Sequence, residues 1–230
     1  DMRNHMGVPR PLRRFHMAHV VADFVLRATV REPFQLAQQP LLDRARAFRA
    51  DLVLVVQLVW VQPETVETLR ERGARCVGWF PDAFTNFGRG AFLLAPYDAL
   101  FFQDPFIVNR LSRAFSAQNI FHLPQCCDPL FHRPVALSAA DQAKYGADVA
   151  TFCNFYPYRV RLLEPILDGS LQVKLYGSRP PRWLRHRATK FWTGEHVSGD
   201  AKAKAMLAAK IAVNTNHYAG IGDVNKRTFE

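Results

Sequence analysis

The sequence predicts an α/β protein built in two halves, and three observations predict it. Continuous apolar runs rich in β-branched residues recur along the chain, as expected of strands buried on both faces of a parallel sheet. Segments with helical signals separate those runs, and strands alternating with helices at this spacing indicate βαβ units. One stretch rich in Pro, Ala and turn residues, "DPLFHRPVALSAADQAKYG" (128–146), interrupts the alternation, and a second series follows it.

Residues 1–49 are basic and mostly helical in pattern, with Pro9, Pro11, Pro33 and Pro40 marking breaks and no clear opening strand. "ADLVLVVQ" (50–57) is the first strand. In "PETVETLRERG", Pro63 at the first helical turn, early Glu64 and terminal Gly73 fit a short helix. "ARCVGWFP" and "YDALFFQ" supply two more strands, a helix runs from Pro105 to Phe115 with Asp104 as its N-cap, and "NIFHLP" closes the first half. The second half reads "DVATFCNF" as strand, 158–167 as helix, "LQVKLYG" as strand, 201–209 as helix and "KIAVNTN" as strand. The domains are therefore expected at 1–135 and 136–230, with the default ligand site in the cleft between two such halves.

At 230 residues, 49% of them hydrophobic, the chain has material for real cores. Its longest apolar stretch, 52–61, is interrupted by Gln57 and is about half the ~20 residues of a membrane-spanning helix. A soluble protein is therefore expected, and with no secretory leader visible, secretion is not. Cys76, Cys126, Cys127 and Cys153 show no C-x-x-C spacing, which points to a reduced, cytoplasmic protein. Asp128-Pro129 beside Cys126, Cys127 and His132 reads as a turn, with no second ligand pair to complete a zinc site. A formal charge of +10 favours anionic partners, among them nucleotides, phosphorylated sugars and an acidic membrane surface. The densest basic run, "SRPPRWLRHRATK", reads either as a solvated loop and helix face or as a phosphate or lipid-surface patch. No RNA-binding signature surrounds Trp183, so nucleic acid is not the expected partner.

Six residues are candidates for chemistry. Gly177 lies where a strand runs into a loop, where backbone amides could approach a phosphate or a plain turn could form. Arg159 opens a helix and can either reach a diphosphate or serve as a surface arginine. Arg227 and Glu230 follow a strand end and a glycine-containing loop. A carboxylate there can accept both hydroxyls of a ribose, or simply favour a helix dipole. His217 lies near the same place. Asp82, at a strand end in the first half, can act as a base or contact acceptor hydroxyls, with a turn cap as the competing reading.

Taken in order, "ADLVLVVQ", "GWFPD", "YDALFFQD", "LPQCCDPLFHRP", "FCNFYPYRVRLLEPI", "VKLYG", "KIAVNTNH" and "NKRTFE" resemble the CgeB-like glycosyltransferases, a family named for a spore-maturation protein. The resemblance runs from about Ala50 to Glu230 and rests on order and spacing rather than on any single piece. It implies a GT-B fold, two Rossmann-like domains facing across a cleft, with a nucleotide-diphospho-sugar donor held mainly by the C-terminal one, no required metal or other cofactor, and an acceptor that it does not specify. Arg159 corresponds to the basic residue near the donor diphosphate, and Glu230 to the ribose-binding glutamate. Family members usually continue past that glutamate with further helices, so the C-terminal domain is expected to be incomplete here. Many carry a glycine where this chain has Cys153-Asn154. A non-catalytic nucleotide- or polyanion-binding protein using the basic surface is the alternative.

Overall fold

The computed structural model describes Val21 and residues 33–56, 61–83, 93–115 and 119–228. The chain is α/β, with two parallel sheets of four and three strands. It divides into two compact units, one of residues 1–124 with 221–223, the other of residues 125–220 with 224–230.

In the first unit, α1 (Pro33–Phe48) precedes β1 (Leu52–Val56), α2 (Pro63–Glu71), β2 (Arg75–Phe80), β3 (Ala99–Phe102), α3 (Pro105–Phe115) and β4 (Ile120–His122). Pro63 sits in the first turn of α2, where its missing amide hydrogen is no loss. As expected, Asp104 closes the start of α3, its carboxylate accepting from Phe106 N at 2.9 Å. The sheet runs in the order β1-β2-β3-β4, every pair parallel. Crossovers that always step to the next strand in one direction put their helices on one face. Accordingly Leu42 and Ala45 of α1, Val66 and Leu69 of α2 and Ile107, Val108 and Leu111 of α3 pack with Val55, Cys76, Phe80, Leu100, Phe102 and Ile120 in a single core.

That topology corrects the expectation for β1. Its sequence reads as a strand covered on both faces, yet Leu52 and Leu54 are 61% and 57% exposed and Val56 is also exposed. Among the described residues β1 is an edge strand, and the helices named above lie on the Val55 side.

The second unit contains α4 (Ala139–Tyr145), β5 (Ala147–Phe152), α5 (Pro157–Leu163), β6 (Val173–Tyr176), α6 (Gly199–Ala208) and β7 (Ala209–Val213). The segment expected to be a linker therefore contains a helix. Ser138 and Asp141 form a capping box at its start, the serine hydroxyl accepting from Asp141 N and the aspartate accepting from Ser138 N. α5 is shorter than the expected 158–167: Pro165 lacks an amide hydrogen, and the chain tightens into a 3-10 turn at Glu164–Ile166.

The strand order β6-β5-β7 places β5 at the centre. Its side chains alternate between two cores. Val149 joins Val160, Leu163, Val173, Leu175 and Ala188 on the α5 side. Ala150 and Phe152 join Tyr145, Tyr176, Ala205 and Ala208 on the side of α4 and α6. This sheet is covered on both faces, and its central strand is accordingly buried at every position but Asp148.

Candidate functional site

In an open parallel sheet, a ligand site forms outside the strand C-terminal ends, at the point where the chain leaves neighbouring strands in opposite directions. The connection from β5 leads to β6 on one flank, and the connection from β6 returns to β7 on the other, so the switch point lies between β5 and β7. The loop after β5 (153–156) and the segment after β7 (214–219) are therefore the places to look.

A cavity of about 380 Å³ opens at this end of the second unit. Its floor is Phe152 and Tyr176, the last residues of β5 and β6, stacked with ring centroids 5.3 Å apart. Burial pushes the Tyr176 phenol up to about 12, with Glu195 nearby adding to the effect, so it stays a neutral hydroxyl near neutral pH. Above this floor stand His132, Arg133, His196, Lys202 and Arg227. Ser198 and Gly199, at the N-terminus of α6, complete the wall, and the Ser198 side chain does not cap the helix. Cations beside helix N-terminal amides make a setting for an anion. A larger cavity of about 490 Å³ in the first unit lies among Ala50, Asp51, Gly73 and Ala74, ahead of β1 and β2. That is the strand N-terminal edge, where such sheets do not place their ligands.

Arg227 reaches the cavity through a polar clasp. At the end of β7, Asn214 and Asn225 exchange side-chain hydrogen bonds of 3.0 and 3.1 Å. Asn225 Oδ1 also accepts from Arg227 N at 3.0 Å, and Asn214 Nδ2 donates to Thr228 Oγ1 at 3.1 Å. The 3-10 turn Lys226–Thr228 is thereby pinned to the strand end.

Gly177 lines the cavity as well, but its glycine identity has another cause. With φ at +150°, a Cβ there would lie 2.1 Å from the carbonyl oxygen of Cys153. Its amide donates to Glu195 O at 3.1 Å and its carbonyl accepts from Trp192 Nε1 at 3.1 Å. The residue lets two strand ends approach each other, and its own amide is already engaged.

Arg159 is the most unusual residue of this edge. It lies in the first turn of α5 and is only 6% exposed. Its Nε is buried without a hydrogen-bond partner, and no described carboxylate forms an ion pair with the guanidinium. The group lies instead over two aromatic rings, 5.3 Å from the Tyr156 centroid and 5.5 Å from that of Tyr158. Burial pushes the Tyr158 phenol up, while the neighbouring Arg159 charge pulls the other way. A buried charge with an orphaned donor is costly unless something completes it.

His217 joins the same cluster. It is stacked on Tyr218 at 4.5 Å and meets Tyr158 edge-on at 5.5 Å, while its Nδ1 accepts from Ala219 N at 3.1 Å. The structure thus groups Gly177 with Arg227 in the cavity, and Arg159 with His217 in the aromatic cluster. Both groups are served by the loop after β5. Asp82 is in the first unit, just past β2, where its carboxylate accepts from Ala83 N at 2.8 Å in a local turn. Glu230 lies outside the described residues.

Several cavity residues were not among the sequence candidates: Phe131, His132, Arg133, His196, Ser198 and Lys202. The first three are presented by the Asp128 turn, in which Asp128 accepts from Leu130 N and His132 N. Of the basic run, Ala188 belongs to the core and Leu184 packs against it, while Arg179, Arg182, Arg185 and Lys190 are exposed. Among the described residues no helix is long and apolar enough to cross a membrane, and no group of three or more His, Cys, Asp or Glu is placed to hold a metal. No protein-family model matches the chain, and no curated protein matches it.

Proposed function

We propose that the chain is a glycosyltransferase of GT-B type that moves a sugar from a nucleotide-diphospho-sugar to an acceptor, with the second unit as the donor-binding half. The observation that carries this reading is Arg159: a buried guanidinium with an orphaned Nε, at a helix start beside the topological switch point of a parallel sheet. A diphosphate is the complement of such a group, since phosphate oxygens accept charge-assisted hydrogen bonds from a guanidinium. In this reading the nucleoside lies in the cavity over Phe152 and Tyr176, and the diphosphate lies toward Arg159. CgeB-like enzymes remain the family that the sequence resembles.

When the bond between sugar and diphosphate breaks, negative charge grows on the departing phosphate. Arg159, Arg227 and the amides at the N-terminus of α6 would stabilise it there, in positions fixed before the reaction. Asp82 would take the proton from the acceptor hydroxyl. These cations supply the neutralisation that a Lewis acid provides elsewhere, so activity should survive a chelator. The test is a panel of nucleotide-diphospho-sugars with the full chain, reading release of nucleoside diphosphate with and without EDTA. Turnover of one donor, lost in Arg159→Gln, supports the proposal. Absence of both turnover and binding across the panel, or strict dependence on added manganese, refutes it.

One observation favours a second reading, non-catalytic binding of a polyanion. Arg179, Arg182, Arg185 and Lys190 surround Trp183, which is 67% exposed, and none of them pairs with a described acidic residue. Salt separates the readings: polyanion binding falls steeply with ionic strength and tolerates different sequences, whereas a donor pocket discriminates base and sugar.

A further inference from the structure

The aromatic residues around Arg159 extend beyond what a diphosphate needs. Tyr156 and Tyr158 lie with rings nearly parallel, 6.0 Å apart and 12° from coplanar. Tyr158 meets His217 and Tyr218 edge-on, at 5.5 and 5.1 Å, and those two rings stack on each other. Four rings thus form one continuous ledge running from the loop before α5 to the segment after β7. Its outer members face solvent: Tyr218 is 68% exposed and Tyr156 is 45% exposed. Exposed aromatic faces held rigid by their neighbours are surfaces for stacking, since each ring offers a broad apolar area with little entropy left to lose. At the inner end of the ledge lies Arg159, a residue more than nine-tenths buried, with its guanidinium in contact with two of these rings and its Nε unpartnered.

We infer that Arg159 and the ledge of Tyr156, Tyr158, His217 and Tyr218 form a subsite for a pyranose carried on a phosphate. A pyranose presents one face of axial C–H groups, apolar enough to lie on an aromatic ring, and its anomeric phosphate, joined to the sugar through a single bridging oxygen, places negative charge immediately beside it. The ledge and Arg159 offer the same two features in the same order: an exposed aromatic surface, then a buried cation. Inorganic phosphate satisfies only the cation, and a free sugar satisfies only the rings. The charge supplies most of the affinity, and the rings distinguish a sugar phosphate from phosphate alone. As to which ligand delivers this sugar phosphate, the inference rests on the donor reading above, in which it is the transferred sugar with its proximal phosphate.

The experiment is calorimetric titration of the full chain with hexose 1-phosphate, inorganic phosphate and free hexose. Hexose 1-phosphate is expected to bind at least ten-fold more tightly than phosphate, and free hexose to bind undetectably. Arg159→Gln should abolish both anions. Tyr218→Ala should bring hexose 1-phosphate down to the affinity of phosphate and leave phosphate unchanged, while Tyr218→Phe should keep the preference. Equal affinity for phosphate and hexose 1-phosphate in the wild type overturns the inference, as does a preference untouched by Tyr218→Ala. Circular dichroism of each variant identifies any loss due to misfolding, and Tyr156→Ala then serves as the second ledge variant, with the same expected outcome. Failure of this subsite and failure of the donor reading are distinguishable. Turnover of nucleotide-sugars with a Tyr218→Ala variant of unchanged donor KM removes the ledge and keeps the enzyme. Tight, Tyr218-dependent hexose 1-phosphate binding without any turnover keeps the ledge and removes the enzyme.

Discussion

Replacing Arg159 by methionine should make the free protein more stable and the liganded protein less so. A buried N–H without an acceptor costs about 1–3 kcal/mol, and Arg159 Nε is such a group. The contacts with the Tyr156 and Tyr158 rings offset roughly 0.5–1 kcal/mol each. Methionine keeps a long, adaptable apolar side chain against the same rings and removes the orphan donor, for a net gain of about 1 kcal/mol. In a unit of roughly 100 residues that is a rise of about 4 °C or more in Tm. A ligand present at a hundred times its Kd stabilises the wild type by about 2.7 kcal/mol and should do little for the variant. The two melting curves should therefore change order: the variant melts higher without ligand, the wild type higher with it. Thermal melts with and without nucleotide-diphospho-sugar read both effects. A variant that melts lower in the absence of ligand and gains as much from ligand as the wild type would show Arg159 to be a packing residue, and the argument from its orphaned donor would fail.

Three further outcomes are expected. Gly177→Ala should destabilise the second unit by about 2–3 kcal/mol in urea titration, because its Cβ would meet the Cys153 carbonyl oxygen and overpacking at this level costs roughly 1–3 kcal/mol before backbone strain is added; an unchanged midpoint contradicts the close approach. Asp141, held at about 2 by the Ser138 backbone and hydroxyl and by Lys204, has a folded pKa below its ordinary value, so its contribution is full above about pH 4 and disappears as pH falls through 2. Melts of the wild type and Asp141→Asn should accordingly differ at pH 6 and converge at pH 2, and a constant difference across that range counts against the capping box. Asp82→Asn should lower kcat by about 10²–10⁴-fold with donor KM unchanged if Asp82 is the base; a loss confined to stability leaves it a turn residue.

The strands and most helices of this fold were legible because their signals are local. The run 52–56 is β-branched and apolar, and Pro63 and Pro105 each mark a first helical turn. α4 is hard to see in the sequence although Ser138-x-x-Asp141 is a capping signature, since its surroundings are rich in Pro and Ala and its seven residues carry little apolar periodicity. The exposure of Leu52 and Leu54 was not legible at all. Which faces of a sheet are covered follows from strand order, and strand order is set by crossovers whose direction no single run encodes.

The same distinction decides how much of the site could be read. Arg159, Gly177, Arg227 and His217 were found because each follows a strand or opens a helix, and in a parallel sheet those positions lie at one edge whatever the strand order. The sequence could not reveal that Arg159 would be buried with its Nε unpaired, for that depends on which neighbours the fold withholds. Phe131, His132 and Arg133 come from a turn far from β6 in sequence, and only the packed unit brings them beside Tyr176 and Gly177. A chain that merely needed positive surface charge could leave its arginines in solvent, as it does at 179, 182 and 185. Burying one more beneath two tyrosines carries a standing cost, and a ligand that supplies the missing acceptor is the simplest physical reason to bear it.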